Sequence, residues 1–224
     1  MRAAIYFTPP ADAPLTRLAA DWLGRDAFDG AAARPLDAER AAIVAEPARY
    51  GFHATMKAPF RLADDATLPT LDEALASFCA AHSAPAIARL ALRRIAHFFA
   101  LVPDETEPAL DKLAGECVRG FERFRAPLST REWERRRPET LTTRQRRHLG
   151  DWGYPHVFED FRFHMTLTGR VPDEAAAPIE ATLARHFESV LGQPLPVDGL
   201  ALFVEPEPGG PFVVHSRHPL RSQP

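Results

Sequence analysis

Two stretches of this chain, residues 50–62 and 160–171, alternate apolar and polar side chains with the two-residue period of a half-buried strand. In the first, Phe52, Ala54, Met56 and Phe60 fall on one face and His53, Thr55 and Lys57 on the other. In the second, Phe161, Phe163, Met165 and Leu167 oppose Arg162, His164, Thr166 and Thr168. A helical pattern and then two β-rich runs follow each stretch: residues 68–82, 87–95 and 97–102 after the first, residues 173–191, 197–204 and 211–216 after the second. An internal repeat of this kind constrains the fold more than local propensity does, because each copy has the same dry face to bury.

Around the repeat, residues 3–8 form a strand pattern that ends at Pro9-Pro10, and residues 14–23 carry Leu15, Leu18, Ala19, Trp22 and Leu23 at helical spacing. A polar loop rich in Ala and Asp is expected next. Residues 107–124 show another apolar stripe, Leu110, Leu113, Cys117, Val118 and Phe121, and an arginine-rich connector over residues 125–150 separates the two copies. Short helices are expected near Trp133 and over residues 142–149, and Asp173 is expected to cap the helix after the second copy. These elements predict an α+β fold, one domain over residues 1–224 made of two similar lobes. Each lobe is an antiparallel sheet with helices on its outer face, and the two sheets face a central cleft.

Composition narrows the function classes. With 224 residues, 46% hydrophobic and 25% charged, the chain has enough apolar material for its own core, and a net charge of −3 argues against bulk coating of nucleic acid. No long apolar run or signal peptide is visible, so a cytoplasmic location and no membrane partner are expected. Cys79 and Cys117 stand far apart with no metal-ligand spacing, which predicts two buried small hydrophobes. His97, His156, His215 and His218 match no standard zinc pattern and are assigned to the surface; Asp104, Glu105 and Glu107 suit a loop before a helix. No metal and no cofactor is called for.

The chemistry lies in the tripeptides His53-Ala54-Thr55 and His164-Met165-Thr166, both His-x-Thr. Residues two apart in a strand point the same way, so each His projects beside its Thr. Hydrolysis of a cyclic phosphodiester needs one group to deprotonate water and another to protonate the departing alkoxide, and imidazole titrates where both are feasible. The Thr hydroxyls can donate hydrogen bonds to non-bridging oxygens, and Lys57 and Arg162 can stabilise the charge that builds there.

The segments Arg49-Tyr50-Gly51-Phe52-His53-Ala54-Thr55-Met56-Lys57 and Phe161-Arg162-Phe163-His164-Met165-Thr166-Leu167-Thr168-Gly169 resemble the 2H phosphoesterase superfamily, whose LigT-like members have two pseudo-symmetric lobes with one His-x-Thr each. Within it the chain is similar to the phosphonate-operon branch, through Tyr-Gly-Phe-His-Ala-Thr and the stretch from Arg137-Pro138 to Gly153-Tyr154-Pro155. The resemblance implies that His53, Thr55, His164 and Thr166 are catalytic. It also implies a metal-independent phosphodiesterase acting on a cyclic phosphate, with a ribose-type cyclic phosphate from phosphonate breakdown as substrate. An RNA 2′-5′ ligase-like or RNA-end-processing activity, or a non-catalytic phosphonucleotide or RNA binder, is the alternative.

Several residues admit two readings. Lys57 is either a phosphate ligand or a solvated strand lysine, and Arg162 either a ligand or a strand-edge cation. Tyr6 and Tyr50 are cleft wall or core, and Thr168 shares the polar face of the second motif. The connector is a solvated face or a lid whose arginines hold a second phosphate, with Trp133, Trp152 and Tyr154 available for stacking. The partner expected is a small phosphate ester, with RNA as the other candidate, and the protein is expected to be a monomer.

Overall fold

The structure, a computed structural model, describes residues 1–31 and 35–222. Both copies of the repeat fold to the same order. The first runs β2 (Ala54–Phe60), α3 (Leu68–Ala81), β3 (Ala86–Ile87), β4 (Leu90–Ile95) and β5 (Phe98–Pro103). The second runs β6 (Met165–Thr166), α7 (Asp173–His186), β7 (Leu195–Pro196), β8 (Gly199–Glu205) and β9 (Val213–Pro219). Ahead of them lie β1 (Arg2–Phe7), α1 (Pro14–Leu23) and α2 (Ala38–Tyr50), and between them α4 (Pro108–Gly120), α5 (Thr130–Arg135) and α6 (Thr143–Trp152).

The α+β class and its antiparallel pairing stand. The strands form one ladder in the order β4-β5-β6-β2-β1-β8-β9, and the short β3 and β7 pair with each other. The two expected sheets are therefore joined edge to edge. The joint is the pairing of the motif strands themselves, Ala54 with Met165, so neither copy has a free edge at the centre. The hairpin of the first copy lies beside β6, while β1 and the hairpin of the second copy lie beside β2.

One face of this ladder carries the main core. Ala3, Ile5, Phe7, Met56, Leu101 and Leu202 pack there with Leu71 and Leu75 of α3, Leu113 and Cys117 of α4, and Leu183 of α7. Trp22 of α1 is buried in the same core and donates its indole N–H to the Leu167 carbonyl at 2.8 Å, which ties α1 to the second motif segment. Both cysteines are buried and unpaired, and burial pushes the Cys79 thiol up to about 11.

Three local expectations need correction. Helix α2 lies in the stretch expected to be a loop, of which residues 32–34 fall outside the described residues. Its apolar pattern is faint: it buries only Val44 and Pro47, and the Asp37 side chain starts it by accepting from the Arg40 N–H. The second motif strand is only two residues long, because the chain beyond it pairs irregularly: the Phe99 N–H goes to the Thr168 hydroxyl, and the Gly169 N–H to the Ile43 carbonyl of α2. Asp173 is the first residue of α7 and not its cap; Pro172 holds the cap position with no side-chain hydrogen bond.

Candidate active site

The motif strands meet at the middle residues of the two tripeptides, Ala54 opposite Met165. In an antiparallel pair that register sets His53 opposite Thr166 and Thr55 opposite His164, so a local two-fold axis passes between the motifs. The outer strands show which way the side chains point, because directly opposed residues share a face. Phe7 opposes Ala54 and Leu101 opposes Met165, all four fully buried on the core side. Tyr6 opposes Thr55 and Ala100 opposes Thr166, and the two threonines line the cleft.

Each imidazole is held the same way. His53 Nδ1 lies 2.8 Å from the Gly51 carbonyl and His164 Nδ1 lies 2.8 Å from the Arg162 carbonyl. A carbonyl only accepts, so Nδ1 carries the proton in both rings and each neutral Nε2 is left as the basic atom. The Thr55 hydroxyl lies 3.3 Å from His53 Nε2, to which it donates. Gly51 is required where it stands: its φ is +76°, and a Cβ there would lie 2.5 Å from the Ala27 Cβ. The helix that sequence patterning missed, α2, ends at Tyr50 and so delivers both Tyr50 and the Gly51 carbonyl to the site.

The two halves differ in how tightly they enclose their histidine. Tyr6 stacks on His53 at 3.7 Å between ring centroids, whereas the ring nearest His164 is Phe98, tilted at 5.7 Å. Burial pushes His53 down to about 4, against the Gly51 hydrogen bond and with a further contribution from the charge of His164. Burial also lowers His164, against the Arg162 carbonyl. Both rings are therefore neutral in the free protein at pH 7.

The cleft has two adjoining chambers, of about 500 Å³ and about 610 Å³. His53, Tyr6, Tyr50, Thr166 and Thr168 line the first, and His164, Arg162, His156 and Phe158 line the second. Thr55, Ala58, Phe98 and Tyr154 belong to both, so one motif histidine serves each chamber across a shared wall. Among the described residues no three His, Cys, Asp or Glu side chains are grouped to hold a metal ion.

Lys57 is the site residue that the structure moves elsewhere. The β1–β2 register slips between Tyr6 opposite Thr55 and Ile5 opposite Lys57, leaving Met56 as an extra residue. That bulge turns Lys57 to the side of Ile5, under α4. There it is buried and ion-paired with Glu122 at 2.8 Å, and it donates to the Val118 carbonyl at 3.1 Å. Ala58 takes the place in the cleft wall that strict alternation assigned to Lys57.

The other site residues stay near the cleft. Arg162 is exposed in the second chamber, and Thr168 is buried, its hydroxyl oxygen accepting from the Phe99 N–H at 2.9 Å. Tyr50 stacks on Phe212 and its hydroxyl accepts from Arg49. His97 and His156 are exposed, as expected, but at the margins of the two chambers. In the connector, Trp133 packs near Gly150 and Trp152 meets Phe158 edge-on, which leaves Tyr154, with Arg135 and Arg136, to line the cleft.

Each half thus brings one His-x-Thr, as the resemblance to the 2H phosphoesterases led us to expect, and the two meet at the centre of one antiparallel ladder. The chain belongs to the family described as "Protein of unknown function (DUF1045)", whose model matches residues 55–213. It is 35% identical over 232 residues to a protein of Janthinobacterium sp. (strain Marseille) named ribose 1,5-bisphosphate phosphokinase PhnN, covering 99% of this chain and 51% of that one. It is 37% identical over 228 residues to a protein of the same name from Laribacter hongkongensis (strain HLHK9), covering 95% and 50%. The chain thus spans about half the length of the curated relatives it matches. Among solved structures, TT0787 of Thermus thermophilus shares the fold over 100% of both chains, at a TM-score of 0.50 and 19% identity. E. coli LigT complexed with NADP+ aligns over 99% of this chain and 98% of LigT, at a TM-score of 0.47 and 12% identity. No helix among the described residues is long and apolar enough to cross a membrane.

Proposed function

We propose that the cleft hydrolyses a cyclic phosphate or phosphodiester, with His53 and His164 as the acid–base pair. The observation that carries this reading is the local two-fold arrangement: two imidazoles with the same tautomer, each leaving a basic Nε2, and each set opposite the other motif's threonine. One Nε2 takes a proton from water as the water oxygen bonds to phosphorus. The other imidazole, protonated, gives its proton to the sugar oxygen as the bond from that oxygen to phosphorus breaks, leaving an acyclic phosphomonoester. Thr166, and Thr55 once its hydroxyl turns from His53 Nε2 to the substrate, donate hydrogen bonds to the non-bridging oxygens, where charge accumulates. No step in this scheme is routed through a metal ion, so EDTA is expected to leave turnover unchanged; a loss that added metal restores would overturn it.

The substrate we favour is a ribose-type cyclic phosphate. The support is the name of the half-matching relatives, which concerns ribose 1,5-bisphosphate. This chain holds no Gly-x4-Gly-Lys-Ser/Thr loop, so the kinase part of that name finds no P-loop motif here. Incubation with a panel of 2′,3′-cyclic nucleotides and ribose cyclic phosphates, followed by 31P NMR, tests the reading. Appearance of a phosphomonoester is the expected result, and none from any compound would overturn it. Joining of RNA ends through a 2′–5′ bond would assign the same site to ligation instead.

The histidine environments also set the pH dependence. An acid–base pair works with one proton shared between two rings, and in the free protein both rings titrate below the usual 6.5. The parameter kcat/KM, which reports the free enzyme, is therefore expected to peak on the acid side of neutrality and to fall as pH rises from 6.5 to 8.5, by up to about tenfold per unit. A bound phosphate anion favours imidazolium, so kcat is expected to peak at higher pH. A kcat/KM profile that rises over the same range would count against the pair.

A further inference from the structure

The first chamber holds more positive charge than a cyclic phosphate uses. Arg135 and Arg136, at the C-terminal end of α5, line it together with Arg170, which follows the second motif. Among the described residues none of these three has a carboxylate within 4.0 Å. By contrast, Arg2, which also lines the chamber, is bound to Glu205, and in the connector Arg125 is bound to Glu122 and Arg144 to Asp160. The carboxylate among the residues lining this chamber is Glu46, which is exposed.

Arg136 is held in place without being neutralised. The Arg136 guanidinium lies 5.0 Å from the centroid of the Tyr154 ring, itself part of the cleft wall, and a π face orients a cation while leaving its N–H donors free. Helix α5 is short, but Ser129 and Glu132 form a capping box at its start, and Glu132 also pairs with Arg61 just beyond β2 at 3.1 Å. The helix that carries Arg135 and Arg136 is thereby tied to the end of the first motif strand.

A cyclic phosphodiester is a monoanion whose free oxygens already face Thr55 and Thr166 in the scheme above. We propose that Arg135, Arg136 and Arg170 form a subsite for a second phosphate, a phosphomonoester dianion on the same substrate molecule as the scissile cyclic phosphate. Guanidinium forks suit such a group because they can bind two of its oxygens at once. The occupant is a small sugar phosphate and not a nucleic-acid strand: a chamber of about 500 Å³ is of small-molecule size, and Arg125 and Arg144 of the same connector are held by Glu122 and Asp160. This inference rests on the hydrolytic reading for its substrate, and the experiment separates the two.

A ribose cyclic phosphate with and without a 5-phosphate would be assayed with wild type, with the double variant R135Q/R136Q, and with R147Q, which alters an exposed arginine outside the cleft lining. Wild type is expected to favour the doubly phosphorylated compound in kcat/KM by about 100-fold, the scale of two charge-assisted contacts. The ratio is expected to collapse to within about fivefold of unity in R135Q/R136Q and to persist in R147Q. A wild-type ratio near one would overturn the subsite and leave hydrolysis standing. If neither compound turned over, the hydrolytic reading alone would fail, and titration calorimetry with ribose 5-phosphate would decide the subsite. Binding weakened tenfold or more in R135Q/R136Q supports it, and equal affinities overturn it. Preference for a short single-stranded RNA ending in a cyclic phosphate over either sugar compound would assign the arginines to RNA and likewise overturn it.

Discussion

Alanine at His53 or at His164 is expected to lower kcat for cyclic-phosphate hydrolysis by about 10²–10⁴-fold, the usual cost of losing a positioned acid or base. The double variant is expected to be scarcely worse than either single one, because proton donation and proton removal belong to one step and neither histidine is useful alone. Binding of a slowly cleaved phosphorothioate analogue is expected to survive, since the threonines and arginines that meet the phosphate are untouched. Single-turnover kinetics with such an analogue and calorimetric binding to each variant check both halves of the expectation. Wild-type rates in either alanine variant would remove the histidines from the chemistry. Tight binding by wild type of every cyclic phosphate, with turnover of none, would make the protein a phosphate-ester binder.

Removal of the Glu205 carboxylate, as in Glu205→Ala, is expected to destabilise the fold by about 3 kcal/mol, the low end of the range for breaking a buried ion pair. Glu205 is fully buried at the end of β8 and accepts from Arg2 on β1, from Arg49 on α2 and from the Gly209 N–H at 3.1 Å. The two arginines keep partial contact with solvent, at 15% and 31% exposure, which is why the low end of that range applies. Burial alone would raise the Glu205 carboxyl, but the hydrogen bond and charge of Arg2, with the hydrogen bonds from Arg49 and the Gly209 N–H, outweigh it and hold the group below its usual 4.5. The stabilisation is therefore fully present above that value and is lost as pH falls through the lower, folded-state value. The same change frees Arg49, which donates to the Tyr50 hydroxyl, so KM is expected to rise as well. Urea denaturation at pH 7 and at pH 4 measures the effect; a loss under about 1 kcal/mol at pH 7 would show that the network contributes little.

Much of the architecture is legible in the sequence because the signals are local. Alternation over a few residues marks the motif strands, and a 3.6-residue stripe marks α1, α3 and α4, since in each case one face meets the core and the other meets water. Helix α2 gives almost no such signal, because it buries only Val44 and Pro47, and yet it delivers Tyr50 and the Gly51 carbonyl to the site. The second motif extends over only two residues of regular strand because its flanking hydrogen bonds go to a side chain and to α2.

From the sequence alone, the chain is a twofold repeat with one His-x-Thr in each copy, because strand period and residue identity already set each His beside its Thr. Three matters were decided only in the tertiary structure. The antiparallel register at Ala54 and Met165 set each His opposite the other copy's Thr, since pairing between segments more than one hundred residues apart depends on the whole ladder. The bulge at Met56 removed Lys57 from the cleft, since an unpaired residue turns the one that follows it to the other face. The tertiary packing sorted the arginines of one basic segment into those bound by carboxylates, Arg125 and Arg144, and those that line the cleft, Arg135 and Arg136, because ion pairing depends on which side chains meet in space.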